Sequence, residues 1–252
     1  MVNKFILPEK ISPPIIAHRG ASHLAPENTL AAFRMAHVSG ARWVEFDVMM
    51  AACGELIVFH DRTLERTTFA TGDVSDFAYE YLSTLDAGSW FDPIFRDEKI
   101  PRLTEVLNLL SHYKMAANIE IKASQGNDVE IAHKIFQVVN AWQSRHPIPL
   151  FFSSFSVLAL ETMRQISSEV SLALLLDQWC DEGPETLERL NCHYLSLRQE
   201  DITSETLQSV KLTQKKILAW TVNEPARAAQ LFDWGVHAVF TDVPEVLIAK
   251  MA

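Results

Sequence analysis

Residues 43–60 read Trp-Val-Glu-Phe-Asp-Val-Met-Met-Ala-Ala-Cys-Gly-Glu-Leu-Ile-Val-Phe-His. Two extended runs stand out, Trp43–Met49 and Leu56–His60. Seven residues (49–55) separate Val48 from Leu56, and Gly54 lies among them. A parallel pair needs a crossover of a dozen or more residues, so these two runs predict an antiparallel hairpin. That reading decides the strand count. Seven further extended runs occur: Pro14–His18, Ala117–Lys122, Leu150–Phe155, Leu172–Asp177, His193–Leu197, Lys216–Val222 and Ala238–Thr241. With Leu56–His60 set aside as the return strand, eight remain.

Most intervals between these runs are long enough for a helix, as at Glu27–Val38, Leu103–Ser111, Asp128–Arg145, Val157–Ser167, Pro184–Leu190, Ser204–Lys211 and Glu224–Trp234. Strands separated by helices argue for parallel βαβ units. Eight of them in 252 residues predict an α/β fold, the (β/α)8 or TIM barrel. A doubly wound sheet is the alternative, but no Gly-rich dinucleotide fingerprint opens the chain. Residues 69–101 break the rhythm. They are polar with scattered aromatics (Phe69, Phe77, Tyr79, Tyr81, Trp90, Phe91, Phe95) and predict an insertion that caps the catalytic face. A satellite core is the plainer reading. No linker is visible, so residues 1–252 read as a single domain.

Composition narrows the function. Hydrophobic residues at 48% and charged residues at 21% describe an ordinary globular chain. The net charge is -10 and no basic stripe occurs, which argues against a nucleic-acid partner. Cys53, Cys180 and Cys192 are odd in number with no paired spacing, which fits a reduced, cytoplasmic setting. Met1 to Ile16 carries charges at Lys4, Glu9 and Lys10 and lacks an apolar stretch, so no leader is expected. No run of 18 apolar residues exists, so no stable membrane insertion is expected either.

Strand parity then locates the chemistry. In Trp43–Val48, Val44, Phe46 and Val48 share one face, and Glu45 and Asp47 share the other. A barrel's outer face packs on helices, so both carboxylates point inward. The same parity turns Glu120 and Lys122 inward from Asn118–Lys122. Three hard oxygen ligands suit Mg²⁺ or Ca²⁺ better than zinc. A buried salt-bridge network among Glu45, Asp47 and Lys122 fits the same spacing. His18 and His60 each close an extended run, on the face where barrel enzymes place their active sites, and suit acid–base work. Arg19 offers a planar fork for a phosphate. Pro26-Glu27-Asn28-Thr29 reads as a helix start with an acidic first turn, which is a complete structural role in itself. Trp220 either walls a substrate pocket or fills the barrel.

His18-Arg19-Gly20, Glu27-Asn28-Thr29, Glu45-x-Asp47, His60-Asp61, Glu120-x-Lys122, Ser153-Ser154-Phe155, Trp220-Thr221-x-Asn223 and Thr241-Asp242 occur in this order. In that series, from about Ile15 to Pro244, the chain resembles the glycerophosphodiester phosphodiesterases. Leu85-Asp86-Ala87-Gly88-Ser89-Trp90-Phe91 and Ile100-Pro101 resemble the insertion characteristic of that family. The resemblance implies a barrel that hydrolyses glycerophosphodiesters to sn-glycerol 3-phosphate and an alcohol with a divalent cation. It implies Glu45, Asp47 and Glu120 as metal ligands, His18 and His60 as the acid–base pair, and Arg19 and Lys122 on the phosphate. Only Ala51-Ala52-Cys53 is less polar than the turn expected there.

Two rival readings remain at this level. One is a lysophospholipase D-like activity on single-chain lipids, with the aromatic insertion supplying an acyl trough. The other is a non-catalytic phosphate-binding barrel, although none of the ligands or histidines is missing. From their sequence neighbours, Arg19 and Asp61, His18 is expected as the base and His60 as the acid. The head group, and whether identical chains assemble into an oligomer, stay open.

Overall fold

The structure is a computed structural model that describes residue 5 and residues 10–124, 126–180 and 182–251. Lys4 and Glu9, two of the charges that argue against a leader, lie outside the described residues. The elements run β1 (Ile15–His18), α1 (Leu30–Val38), β2 (Trp43–Met50), β3 (Leu56–Val58), α2 (Tyr79–Leu82), α3 (Leu103–Tyr113), β4 (Ala116–Ile121), α4 (Asp128–Gln143), β5 (Leu150–Ser154), α5 (Val157–Ile166), β6 (Leu172–Leu176), α6 (Gly183–Arg189), β7 (Tyr194–Arg198), α7 (Ser204–Lys211), β8 (Lys216–Trp220), α8 (Pro225–Asp233), β9 (Ala238–Thr241) and α9 (Pro244–Met251).

β1, β2 and β4 to β9 pair in parallel, and β1 bonds both β2 and β9, which closes an eight-stranded barrel. β3 returns antiparallel along β2, with Val48 opposite Val58 and Met50 opposite Leu56. The hairpin reading of residues 43–60 therefore holds. Ends are where the sequence ranges overran. The third strand ends at Val58, the Phe59 N–H still bonds Asp47 O at 3.0 Å, and His60 projects beyond the ladder.

Parity sorts the side chains as alternation requires. Val44, Phe46 and Val48 join the large cluster under the helices, where the Phe46 and Phe33 ring centroids lie 5.6 Å apart. Burying a side chain of this size stabilises the fold by roughly 1.5–3 kcal/mol. The opposite face fills the barrel interior with Ile16, Trp43, Phe151, Tyr194, Leu218 and Phe240. Trp43, Phe151 and Tyr194 pack in series as tilted pairs, with centroids 5.7 and 4.8 Å apart, and form an aromatic floor. With the floor closed, inward groups gather at the carboxyl ends of the strands.

The start of α1 departs from expectation. Asn28 has φ 58°, outside the helical region, so the helix begins only at Leu30, with the Thr29 hydroxyl accepting from the Ala32 N–H at 3.3 Å. Its first turn holds no acidic residue. Pro26, Glu27 and Asn28 belong to the loop, and Glu27 and Asn28 turn their side chains to other work. Gly20 is required nearby: at φ 84°, a Cβ there would lie 2.7 Å from Ala32. The loop after β1 is thus pressed onto α1.

Residues 69–101 build a satellite core. Met49, Ala51, Ile57 and Phe59 of the hairpin pack with Leu64, Val74, Tyr79, Leu82, Ala87 and Ile100. Met49 and Ala51 continue the strand face that carries Glu45 and Asp47, which puts the insertion at the carboxyl-terminal end of the barrel strands. It stands to one side rather than over the centre. Phe95 packs against Ala25, Ala31 and Ala32, and Glu98 accepts from the Ala31 N–H at 3.1 Å. The insertion packs against the hairpin and against the loop before α1.

Candidate active site

Three strands bring three carboxylates and two cations together. Glu45 and Asp47 project inward from β2 and Glu120 from β4, as parity predicts. Glu45, Asp47 and Glu120 each place one carboxylate oxygen within 4.8 Å of the others. Glu45 and Asp47 are nearly fully buried, at 3% and 1% exposure. Lys122 Nζ lies 3.1 Å from Glu120 Oε1 and 3.8 Å from Asp47 Oδ1. Arg19 Nε lies 3.5 Å from Asp47 Oδ2. The salt-bridge network weighed from the sequence therefore exists in part, but it leaves Glu45 out. Glu45 Oε2 accepts only the Arg19 backbone N–H at 3.0 Å, and Oε1 is buried with no hydrogen-bond partner.

Electrostatics follows from that imbalance. Burial, then the charges of Asp47 and Glu120, raise the Glu45 carboxyl well above the usual range. Burial and Asp47 likewise push Glu120 up to about 7. Asp47 goes the other way: burial opposes its charge, but Arg19, His60 and Lys122 together outweigh burial and hold it low. A buried, acceptor-only oxygen set with more negative charge than its cations match fits a hard divalent ion.

Both histidines reach this cluster, each with its own carboxylate. His18 ends β1; its Nδ1 lies 2.7 Å from Asp242 Oδ1 and its Nε2 4.0 Å from Glu45 Oε2. Asp242 also accepts from Ser22 Oγ at 3.0 Å and from Asn223 Nδ2 at 2.8 Å. Burial works against its charge, but these bonds hold it well below the ordinary carboxylate range. His60 Nδ1 lies 2.6 Å from Asp61 Oδ1, and its Nε2 lies 3.3 Å from Lys122 Nζ. Burial, helped by Arg19 and Lys122, holds the His60 ring below its usual range. A neutral ring whose Nε2 accepts from the ammonium and whose Nδ1–H faces Asp61 satisfies both contacts.

Four contributors were not legible as such. Glu27 accepts from Arg19 Nη1 at 2.8 Å and from both Nη atoms of Arg66, at 2.6 and 2.8 Å. Asn28 donates from Nδ2 to Asp47 Oδ2 at 2.9 Å. Asp242 and Arg66 complete the set. Arg19 and Asn28 both have positive φ, 55° and 58°, so no strand or helix period reaches their side chains. The only sequence signal for Glu27, Asn28 and Asp242 was their place in the ordered motif series.

His18, Arg19, Glu45, His60, Glu120 and Lys122 line one side of a small cleft of about 70 Å³. Phe155, Leu175, Trp220 and Phe240 line the rest, with Asn118 below. Trp220 thus walls the pocket and also packs on the interior cluster. Its ring stands at 90° to Phe155, with centroids 5.7 Å apart. No residue of 69–101 contributes to this lining.

Comparison with known proteins agrees with the geometry. The family model described as the glycerophosphoryl diester phosphodiesterase family matches residues 18–246, which take in the whole cluster. A glycerophosphodiester phosphodiesterase of Caldanaerobacter subterraneus is 33% identical over 234 residues, covering 93% of this chain and 96% of that one. An Oleispira antarctica phosphodiesterase, solved in complex with the product sn-glycerol-3-phosphate, superposes with a TM-score of 0.90 at 34% identity and covers 97% of both chains. A glycerophosphodiester phosphodiesterase from Agrobacterium tumefaciens gives 0.76 at 28% identity, covering 93% of this chain and 98% of that one.

Proposed function

The chain belongs to the glycerophosphoryl diester phosphodiesterase family, and from that premise we propose that it hydrolyses glycerophosphodiesters to sn-glycerol 3-phosphate and an alcohol. The observation that carries the reading is the buried carboxylate cluster with its unpartnered Glu45 oxygen, flanked by two carboxylate-held histidines. Glu45, Asp47 and Glu120 would hold a divalent cation, Mg²⁺ or Ca²⁺. Bound there, the ion supplies positive charge for the phosphoryl oxygens as negative charge develops on them.

The chain's own groups do the rest. Arg19 and Lys122 border the cleft and offer further positive charge to the phosphate. That local charge must overcome the overall -10, which repels anions. His60, neutral and with Nδ1 fixed by Asp61, is suited to take a proton from the attacking oxygen. Asp242 stands ready to match an imidazolium charge on His18, which suits His18 to protonate the departing alkoxide. This order is the reverse of the one expected from sequence neighbours. Arg19 turns its guanidinium to Glu27 and Asp47 while the distant Asp242 faces the His18 ring, and at His60 burial with Arg19 and Lys122 outweighs the bond to Asp61. Trp220, Phe155 and Leu175 wall the remaining cleft and accept the less polar part of the substrate. Residues 1–252 act as one domain in this reading, in the cytoplasm, where the three free cysteines would stay reduced.

The lysophospholipid alternative loses its support, because the insertion supplies no wall to the cleft. The test is release of glycerol 3-phosphate from a panel of glycerophosphodiesters, with and without EDTA. Release that stops with EDTA and returns with Mg²⁺ or Ca²⁺ is the expected result. Failure on every diester overturns the activity, and indifference to EDTA overturns the metal.

A further inference from the structure

Arg66 lies on the loop between His60 and the insertion, outside the cleft, and its side chain is 44% exposed. An exposed arginine in ion pairs is ordinarily worth little. Here its donors are committed in an unusual way. Nη1 and Nη2 both donate to Glu27, at 2.6 and 2.8 Å, and Nε donates to Asp61. Each acceptor holds a different part of the site: Glu27 grips Arg19 from the loop after β1, and Asp61 grips His60 from the loop after β3.

From these contacts, and resting on the proposed function, we infer that Arg66 is a positioning residue that sets the spacing between the Arg19 and His60 arms, and that the insertion serves catalysis by holding Arg66. The loop carrying Arg66 has little regular structure of its own. It is pinned instead to the insertion: Leu64 is fully buried in the satellite core, its N–H bonds Gly72 O at 3.1 Å, and Val74 N–H bonds Arg62 O at 2.9 Å. A planar guanidinium can span two carboxylates at fixed separation, whereas an ammonium on a flexible stem is a single point charge. The geometry therefore demands arginine and not merely positive charge.

The experiment compares Arg66→Ala and Arg66→Lys with the wild-type chain, measuring kcat, KM, metal affinity and thermal midpoint on a diester that the wild type turns over. Wild-type turnover keeps the functional reading separate: a wild type inactive on every diester defeats that reading, and this test then proceeds on metal affinity and structure of the Arg66→Ala chain. Supporting contacts of this kind typically cost 10–100-fold in activity when removed. Both variants should lose about that much in kcat, with KM and metal affinity within about threefold of wild type. Millimolar methylguanidinium should restore part of the Arg66→Ala rate and leave the wild type unchanged. In the structural arm, His60 should shift from its wild-type position relative to Arg19. Near wild-type kcat for Arg66→Lys, no rescue by methylguanidinium, or an unmoved His60 would each overturn the proposal.

Discussion

The two sides of the barrel mouth are built on opposite principles. One side, from β1, β2, β4 and β9, carries His18, Arg19, Glu45, Asp47, Glu120, Lys122 and Asp242, interlocked by charge. The other, from β5 to β8, carries Phe155, Leu175 and Trp220, held by packing. The same barrel supports both, with His18, Glu120 and Trp220 each at or next to the carboxyl end of a parallel strand. What differs is energetic. On the charged side, burial of like charges works against stability until a ligand relieves it. On the apolar side, burial stabilises the fold whether or not a ligand is present. Under the proposed function, one side would serve the reaction and the other recognition by shape.

If that division holds, the largest effect belongs to the carboxylates. Glu45→Gln, Asp47→Asn and Glu120→Gln should each lower turnover at limiting metal by about 10³-fold or more, given that metal charge stabilisation is worth several kcal/mol. Circular dichroism should show the barrel intact, because the variants keep volume and, at Glu45 and Glu120, also relieve repulsion. Near wild-type turnover in any of the three would remove that residue from the ligand set.

A second effect separates the two sides by pH. Glu120 titrates near 7 in the folded chain without metal, above its ordinary 4.5. Between those values the folded state binds a proton that the unfolded state has released, so metal-free stability should fall as pH rises from about 5 to 7. The full linkage is on the order of 3 kcal/mol at the upper end. A cation competes with that proton, so Mg²⁺ affinity should weaken by up to tenfold per unit as pH drops below 7. Thermal midpoints across pH, with and without Mg²⁺, check both signs. A metal-free midpoint that rises across this window would contradict the strained cluster.

Legibility followed the same boundary between strand and loop. Glu45, Asp47 and Glu120 were readable because they sit on strands, where a period of two fixes the face and the apolar set Val44, Phe46 and Val48 declares which face is outer. The barrel count was readable because 49–55 is too short for a crossover. Asp242 was not assigned to His18, since 224 residues separate them and only closure of β1 on β9 brings them together. Glu27 and Asn28 were read as a helix start because nothing local announces the positive φ of Asn28. The insertion was visible as an interruption, but its side of the barrel depends on which strand face continues into Met49 and Ala51.

The smallest effect tests the apolar side. Phe155 lines the cleft yet is 42% exposed, so it has few partners to lose on truncation. Phe155→Ala should barely move the thermal midpoint, whereas a fully buried ring such as Phe152, at 0% exposure, should cost about 3–5 kcal/mol on the same change. A substrate that rests on Phe155 loses part of an aromatic contact, worth about 1 kcal/mol and hence roughly a fivefold rise in KM. Because that contact is made equally before and during reaction, kcat should stay within about twofold. The contrast with the carboxylates lies in which parameter moves. A fall in kcat comparable to that of Glu120→Gln would mean that Phe155 shapes the reacting geometry, and the division between a reacting side and a recognising side would fail at that residue.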